Sequence, residues 1–331
     1  MVTIGFHHSH EQVHPTALLQ AARTAQDVGF RAGMCSDHFA PWSLRQGHSA
    51  FSWAWLGAAL ATTDLPFGVV AAPGQRYHPA VYAQAVATLA AMFPGRFWVA
   101  MGSGENLNEH ITGDGWPSKP DRDTRLRECV EIVRALLDGE EVTHDGSVTV
   151  DHARLWTLPD VPPRLVLPAV TAATAARHAD WADGLVTVNQ PVETLRDVVG
   201  SYRAAGGRGA TALQVHVSWG RSDEVALRTA QDQWGANLLP PPVSWDLDEP
   251  ESFDAARGVV SEEALRRTVL VEHDAERLAD CIAELVEVGF DEVYLHHVGQ
   301  EFDEFFDVAG AELLPRLSAA FGTDETAGES S

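Results

Sequence analysis

What constrains this chain most is a repeated alternation between short apolar runs and stretches of helical spacing. The runs fall at residues 2–6, 32–36, 66–71, 97–101, 165–169, 184–188, 213–218 and 292–296. Between them the pattern turns helical: Leu18, Leu19, Ala22 and Ala25 share one face of a helix predicted over 15–28. Further helices are predicted over 52–61, 79–92 and 122–137, with Pro79 in a first turn, where its fixed φ fits. Strands joined through helices run parallel. Eight such units in 331 residues favour a closed (β/α)8 TIM barrel, one domain over 1–321, rather than an open doubly wound sheet. No GxGxxG follows the first run, which counts against a dinucleotide-binding domain. Two segments break the alternation. Residues 141–158 carry Asp145-Gly146 between Thr/Val-rich arms and read as a hairpin insertion. Residues 238–258, with Pro240-Pro241-Pro242 and several acids, read as an excursion over a barrel face. The polar, acidic tail 322–331 reads as disordered.

Charge narrows the partners. The net charge is −24, and Lys119 is the single lysine among 23 basic residues. So acidic a chain repels nucleic acid and anionic membranes. Acid excess with almost no lysine reads as adaptation to high salt; an arginine-favouring genome would explain the missing lysines but not the surplus acid. Cys35, Cys129 and Cys281 are too few and scattered for a disulfide framework or a CxxC metal pair, and read as thiols in a reducing cytoplasm. No signal-peptide pattern opens the sequence and no apolar run reaches transmembrane length.

Chemistry is expected where barrel strands end. After the second run comes Ser36-Asp37-His38-Phe39-Ala40-Pro41-Trp42, which places an acid, an imidazole and an indole together. His38 is a proton donor or acceptor near neutral pH. Asp37 projects to the opposite side if the backbone stays extended, and Trp42 offers a flat apolar wall. After the fourth run comes Gly102-Ser103-Gly104-Glu105-Asn106-Leu107-Asn108-Glu109. Glu105 is expected to open a helix whose N-terminus stabilises its anion. Gly102 and Gly104 allow close approach to a ligand, and Asn108 lies a turn further on the same face. His7, His8 and His10 follow the first run without metal-ligand spacing and read as pocket lining, with His8 or His10 a substrate contact. His296 and His297 end the last run and are expected at the pocket rim. Arg76 and His78, beside Pro79, read as structural, and Trp53 and Trp55 as core or interface.

These motifs carry a resemblance. Ser-Asp-His-Phe-x-Pro-Trp at 36–42, Arg-Tyr-x-Pro-Ala-Val at 76–81, Ala-Gln-Ala at 83–85 and Gly-x-Gly-Glu-x-Leu-Asn-Glu at 102–109 occur in this order. Together they resemble the F420-dependent glucose-6-phosphate dehydrogenase group of the luciferase-like flavin oxidoreductases, over residues 2 to about 320. The resemblance implies a barrel, a homodimer, a deazaflavin or flavin at the strand ends, and a non-proline cis peptide after strand three, near Val69-Val70. It implies His38 as the base for a substrate hydroxyl, Glu105 as the proton exchanger, and Trp42 beside the reacting centre. Asp37, Val69, Val70, Gly102, Gly104 and Asn108 would line the cofactor. Two departures matter. The family's phosphate-gripping Gly-Gly is here Val170-Thr171, whose amides and hydroxyl could still hold a phosphate. The sugar-phosphate cations are replaced by Pro191 and Ser244-Trp245, leaving Arg267. Each lost charge-assisted bond removes about 1.5–3 kcal/mol, so glucose 6-phosphate is not the expected substrate. Trp245 and Arg267 are expected to touch a smaller alcohol or carbonyl. The implied cofactor is coenzyme F420, with FMN, in an oxidoreductase or monooxygenase, as the alternative.

Overall fold

A computed structural model describes residues 2–257 and 261–322. Apart from Gly322, the tail expected to be disordered lies outside the described residues. The chain opens with β1 (Thr3–His8), α1 (Pro15–Val28), β2 (Ala32–Ser36), α2 (Ser52–Thr62), β3 (Phe67–Ala71) and α3 (Pro79–Met92). Next come β4 (Phe97–Met101), the short α4 (Asn106–Glu109), the long α5 (Lys119–Leu137), and an antiparallel hairpin, β5 (Val142–Asp145) with β6 (Thr149–Ala153). β7 (Arg164–Pro168), α6 (Ala172–His178), β8 (Gly184–Val188), α7 (Val192–Ala204), β9 (Ala210–Trp219) and α8 (Asp223–Trp234) follow. The excursion holds α9 (Val243–Asp246) and α10 (Pro250–Ala256). The chain closes through α11 (Glu262–Arg266), β10 (Leu270–Glu272), α12 (Ala275–Val286), β11 (Glu292–His297), α13 (Asp303–Val308) and α14 (Leu314–Phe321).

Strand pairing runs β9-β11-β1-β2-β3-β4-β7-β8 and closes through β8–β9, every pair parallel. This is the closed eight-stranded barrel. A ninth strand, β10, pairs with the far end of β9. Its three residues are too short to show as a periodic run.

Alternation along each strand divides the core. Ala32, Met34, Trp98, Ala100, Val166, Val186, Ala212 and Tyr294 pack together inside the barrel. Phe6, Cys35, Phe67, Val69, Val99, Leu165 and Leu295 join the core between barrel and helices. Gly68 is demanded by this packing, because a Cβ there would lie 2.0 Å from the Trp98 ring. At the N-terminal end of the barrel, Arg164 pairs with Glu292 at 2.8 Å, and the Tyr294 hydroxyl donates to Glu292 at 2.7 Å. The ion pair links β7 and β11 at that end, and the polar groups of interest lie at the strands' C-terminal ends.

Helix ends follow local rules. His14 accepts from the Thr16 amide at the start of α1, Pro15 takes the first helical position, and Gly29 ends the helix with φ 113°.

The non-proline cis bond expected near Val69-Val70 is not present. Among the described residues the cis bond is Pro241–Pro242. Val69 and Val70 pair in regular register with Cys35 and Ser36 on one side and Val99 and Ala100 on the other. The trans chain satisfies both ladders, whereas a non-proline cis bond costs about 3–4 kcal/mol.

Candidate active site

β2 carries its ladder one residue past Ser36, with the Asp37 amide donating to the Val70 carbonyl at 3.0 Å. Asp37 and His38 therefore project to opposite sides. The Asp37 carboxylate turns toward the helices, accepting from Ser52 Oγ at 2.6 Å and pairing with Arg76 at 3.0 Å. Arg76 also donates to the Asp37 carbonyl at 2.7 Å, while its own amide donates to Glu109 at 2.7 Å. The Asp37 side chain is fully buried, so the expected direct contact with a cofactor is replaced by a structural role. Its ion pair ties the end of β2 to the β3–α3 loop and, through Glu109, to α4.

His38 turns the other way and stands between two carboxylates. Its Nδ1 lies 3.4 Å from Glu11 Oε1, and its Nε2 lies 3.8 Å from Glu105 Oε2. Trp42 flanks the imidazole, with ring centres 5.0 Å apart, and is itself backed by Phe253 of the excursion.

The two carboxylates differ in environment. Burial alone would raise Glu11, but the neighbouring His38 and hydroxyl donors from Ser36 at 2.6 Å and Ser9 at 2.7 Å lower it to about 2. Glu105 has no such donors. Burial raises it to about 7 against the pull of His38, and Glu11 and Glu109 add like-charge repulsion. The expectation that a helix N-terminus would stabilise this anion fails for a structural reason. α4 has four residues, and Glu105 makes no side-chain capping bond to it. The result is one committed anion and one carboxyl poised to gain or lose a proton near neutral pH, on either side of one imidazole.

Glu11 was not singled out in the sequence. The signal was present, since it lies in the polar run Ser9-His10-Glu11-Gln12 directly after β1.

The remaining expected residues divide. Asn108 is buried, and its Oδ1 accepts from the amides of Phe39 at 2.8 Å and Ala40 at 3.4 Å. It sets the loop that carries His38 and Trp42. Gly104 adopts φ +82°, which an L side chain rarely adopts, and a Cβ there would press on Glu109 at 3.0 Å. Gly102 and β7's Pro168 face each other across the same edge. Thr171 caps α6 by accepting from the Thr174 amide, with Val170 just before it. Trp245 sits on α9, which docks on α4: Asn106 donates to the Asp246 carbonyl at 3.0 Å. Val69 points outward into the core between barrel and helices, whereas Val70 packs against the barrel interior.

Three expected substrate contacts lie elsewhere. β1 extends through His8, so His7 faces inward and His8 outward, against Trp55 and Phe67. His10 also packs on Trp55. β11 likewise extends to His297, which stacks on Phe305 at 4.8 Å outside the barrel. Arg267 is exposed just past the end of α11 and lies 3.9 Å from Glu263 on that helix. The histidines that do face inward are His7, His216 and His296. Gln214 bridges His216 and His296 at 3.2 and 3.1 Å, and His296 bonds Gln12 at 2.7 Å. Burial lowers His7 and His216 to about 3, so this wall is neutral at ordinary pH. Among the described residues no group of three or more His, Cys, Asp or Glu could hold a metal ion. None of the described helices is long and apolar enough to cross a membrane.

A closed parallel barrel with paired acid–base groups at its strand ends defines a barrel enzyme site. The chain belongs to the luciferase-like monooxygenase family, whose model matches residues 1–292. It is 32% identical to an F420-dependent glucose-6-phosphate dehydrogenase of Nocardia farcinica, covering 96% of this chain and 98% of that one. It is 30% identical to the enzyme of the same name from Mycolicibacterium smegmatis, covering 95% and 97%. Among solved structures, an F420-dependent secondary alcohol dehydrogenase in complex with an F420-acetone adduct superposes with a TM-score of 0.89. It is 30% identical, covering 96% of this chain and 99% of that one. The monooxygenase RslO1 from Streptomyces bottropensis, 20% identical with a TM-score of 0.72, covers 95% and 99% and shares the fold.

Proposed function

We propose that this chain is an F420-dependent oxidoreductase that interconverts a small neutral alcohol and its carbonyl. The observation that carries this is His38 standing between carboxylates of unlike ionisation, Glu11 and Glu105. Similarity to the secondary alcohol dehydrogenase supports the substrate class, and the names of the relatives support the cofactor.

The residues fit a ring-shaped cofactor. Glu105 is 27% exposed with no capping bond, and the Nε2 edge of His38 faces it at 3.8 Å. Gly102, Gly104, Val70 and the Val170-Thr171 loop would border the ring, with Trp42 at its edge. When bound, the deazaflavin accepts or gives a hydride at C5. The protein moves the protons. His38 takes the hydroxyl proton at Nε2 as the alcohol carbon loses its hydride, and Glu11 holds the imidazole in place and offsets the charge it gains. Glu105, raised to about 7, gains or loses a proton near neutral pH and exchanges it on the side facing His38.

Glucose 6-phosphate is not the proposed substrate. Arg267 faces Glu263, Pro191 and Ser244 bring no charge, and the inward wall of His7, His216 and His296 is neutral. A phosphate dianion left there without cations would lose about 1.5–3 kcal/mol per missing bond. An FMN-dependent monooxygenase is the second reading, favoured by Val170-Thr171 standing where the resemblance expects Gly-Gly. Fluorescence titration with F420 and FMN separately tests the choice. Tight F420 binding is expected; tight FMN binding with no F420 binding would overturn it in favour of the second reading. The proposed enzyme acts as a homodimer in the cytoplasm of a salt-adapted cell.

A further inference from the structure

Lys119 is the chain's single lysine, and its position is specific. It opens α5, and its Nζ lies 3.3 Å from Ser103 Oγ, between Gly102 and Gly104 and two residues before Glu105. The Trp245 ring centre stands 5.8 Å from the same Nζ. One turn along α5, Asp123 pairs with Lys119. Asp123 is buried and also takes Arg177 at 2.7 Å, with His178 Nε2 at 3.5 Å. Burial would raise this carboxyl, but hydrogen bonds from His178 and Lys119 hold it well below the usual carboxylate range. It is an anion, and it joins the first turn of α5 to the last turn of α6.

Two cations drawn to one buried carboxylate repel each other, and the group keeps a positive surplus in a chain of net charge −24. Such an arrangement is completed by a second anion. Lys119 is 28% exposed and Arg177 57% exposed, so both can reach one. Asp121, whose carboxylate accepts from Ser118 Oγ at 2.6 Å, makes no ion pair with either of them. Ser103 follows β4 directly and lies two residues before Glu105, and Arg177 lies on α6, the helix that follows β7.

We propose that Lys119 and Arg177, held by Asp123, grip the phosphate-bearing arm of the cofactor whose ring lies against His38 and Glu105. This inference rests on the functional reading above and adds the residues that replace a glycine-rich phosphate cradle at Val170-Thr171. The shared chemistry is a phosphate on a ribityl chain, which F420 and FMN both carry.

The test compares each phosphorylated cofactor with its phosphate-free form: F420 against its ring–ribityl fragment, and FMN against riboflavin. Affinities are read by fluorescence titration at low and high salt. Lys119→Ala and Arg177→Ala are each expected to weaken F420 binding about tenfold or more and to flatten its salt dependence. Binding of the phosphate-free fragment should stay within about twofold, with Lys119→Arg close to wild type. The same loss for FMN with riboflavin unaffected would support the clamp with FMN as the source. Equal loss of phosphorylated and phosphate-free forms, or no loss of either, would overturn it. Wild-type protein that binds F420 with unchanged variants sinks the clamp alone; wild type that binds neither cofactor sinks the functional reading and the clamp together.

Discussion

At the residue scale the account turns on Glu11, His38 and Glu105. Replacing His38 with alanine removes the proposed proton acceptor while leaving the groups proposed to border the ring and to hold its phosphate. Alcohol oxidation should fall about 10²–10⁴-fold with cofactor affinity nearly unchanged. Persistent turnover in this variant would show that the base lies elsewhere. Glu105 gives a pH signature. Its folded pKa is raised to about 7 from 4.5, so it holds a proton below about 7 and loses it above. Turnover that needs that proton should decline as pH rises through about 7, and Glu105→Gln should remove that limb at a lower rate. The same shift affects stability. A raised pKa contributes stability fully present below about 4.5 and lost as pH rises through about 7. The melting temperature of the wild type should therefore fall relative to Glu105→Gln across that window. A parallel course for the two proteins would contradict the partly buried, proton-holding carboxyl. His38 and Glu105 stand out in the sequence because each follows a strand end closely, and the structure brings the two side chains within 3.8 Å. Glu11 could not be separated from its neighbours, because the run after β1 holds several polar residues and only the fold shows which turns back to Ser36 and His38.

At the element scale, the errors come from strand length. The first run was read as ending at residue 6 and the last at 296, yet β1 reaches His8 and β11 reaches His297. Within a strand, neighbours point to opposite faces, so a boundary misplaced by one or two residues moves a histidine from pocket to core. Hydrophobic pattern locates a strand well and its last residue poorly, above all where the end is histidine. The loops beyond the strands are fixed by Arg76, which ties Asp37 to Glu109 with all three side chains nearly buried. Arg76→Met strands two buried carboxylates and should lower stability by about 3–5 kcal/mol in urea unfolding. A change below about 1 kcal/mol would mean that the network does not hold the loops. No periodicity in the sequence announces such a network, because its members are far apart along the chain and meet only when the barrel closes.

At the scale of the whole molecule, the closed parallel barrel was legible because eight apolar runs recur with helices between them. What pattern could not give was β10, three residues long, or the docking of α9 over α4, which depends on Asn106 and Asp246 meeting across the mouth. Net charge acts at this scale too. With a formal −24, mutual repulsion opposes folding until salt screens it. The melting temperature should rise between about 0.1 and about 2 M KCl, and a flat or falling curve would contradict adaptation to high salt. The central claim is hydride transfer to a deazaflavin, with His38 taking the hydroxyl proton. The most direct measurement mixes the protein with F420 and 2-propanol deuterated at its central carbon, then follows F420 absorbance and the label. The account predicts loss of the oxidised F420 absorbance, acetone formation and deuterium at C5. Bound F420 that no secondary alcohol reduces, or reduction without deuterium at C5, would contradict it.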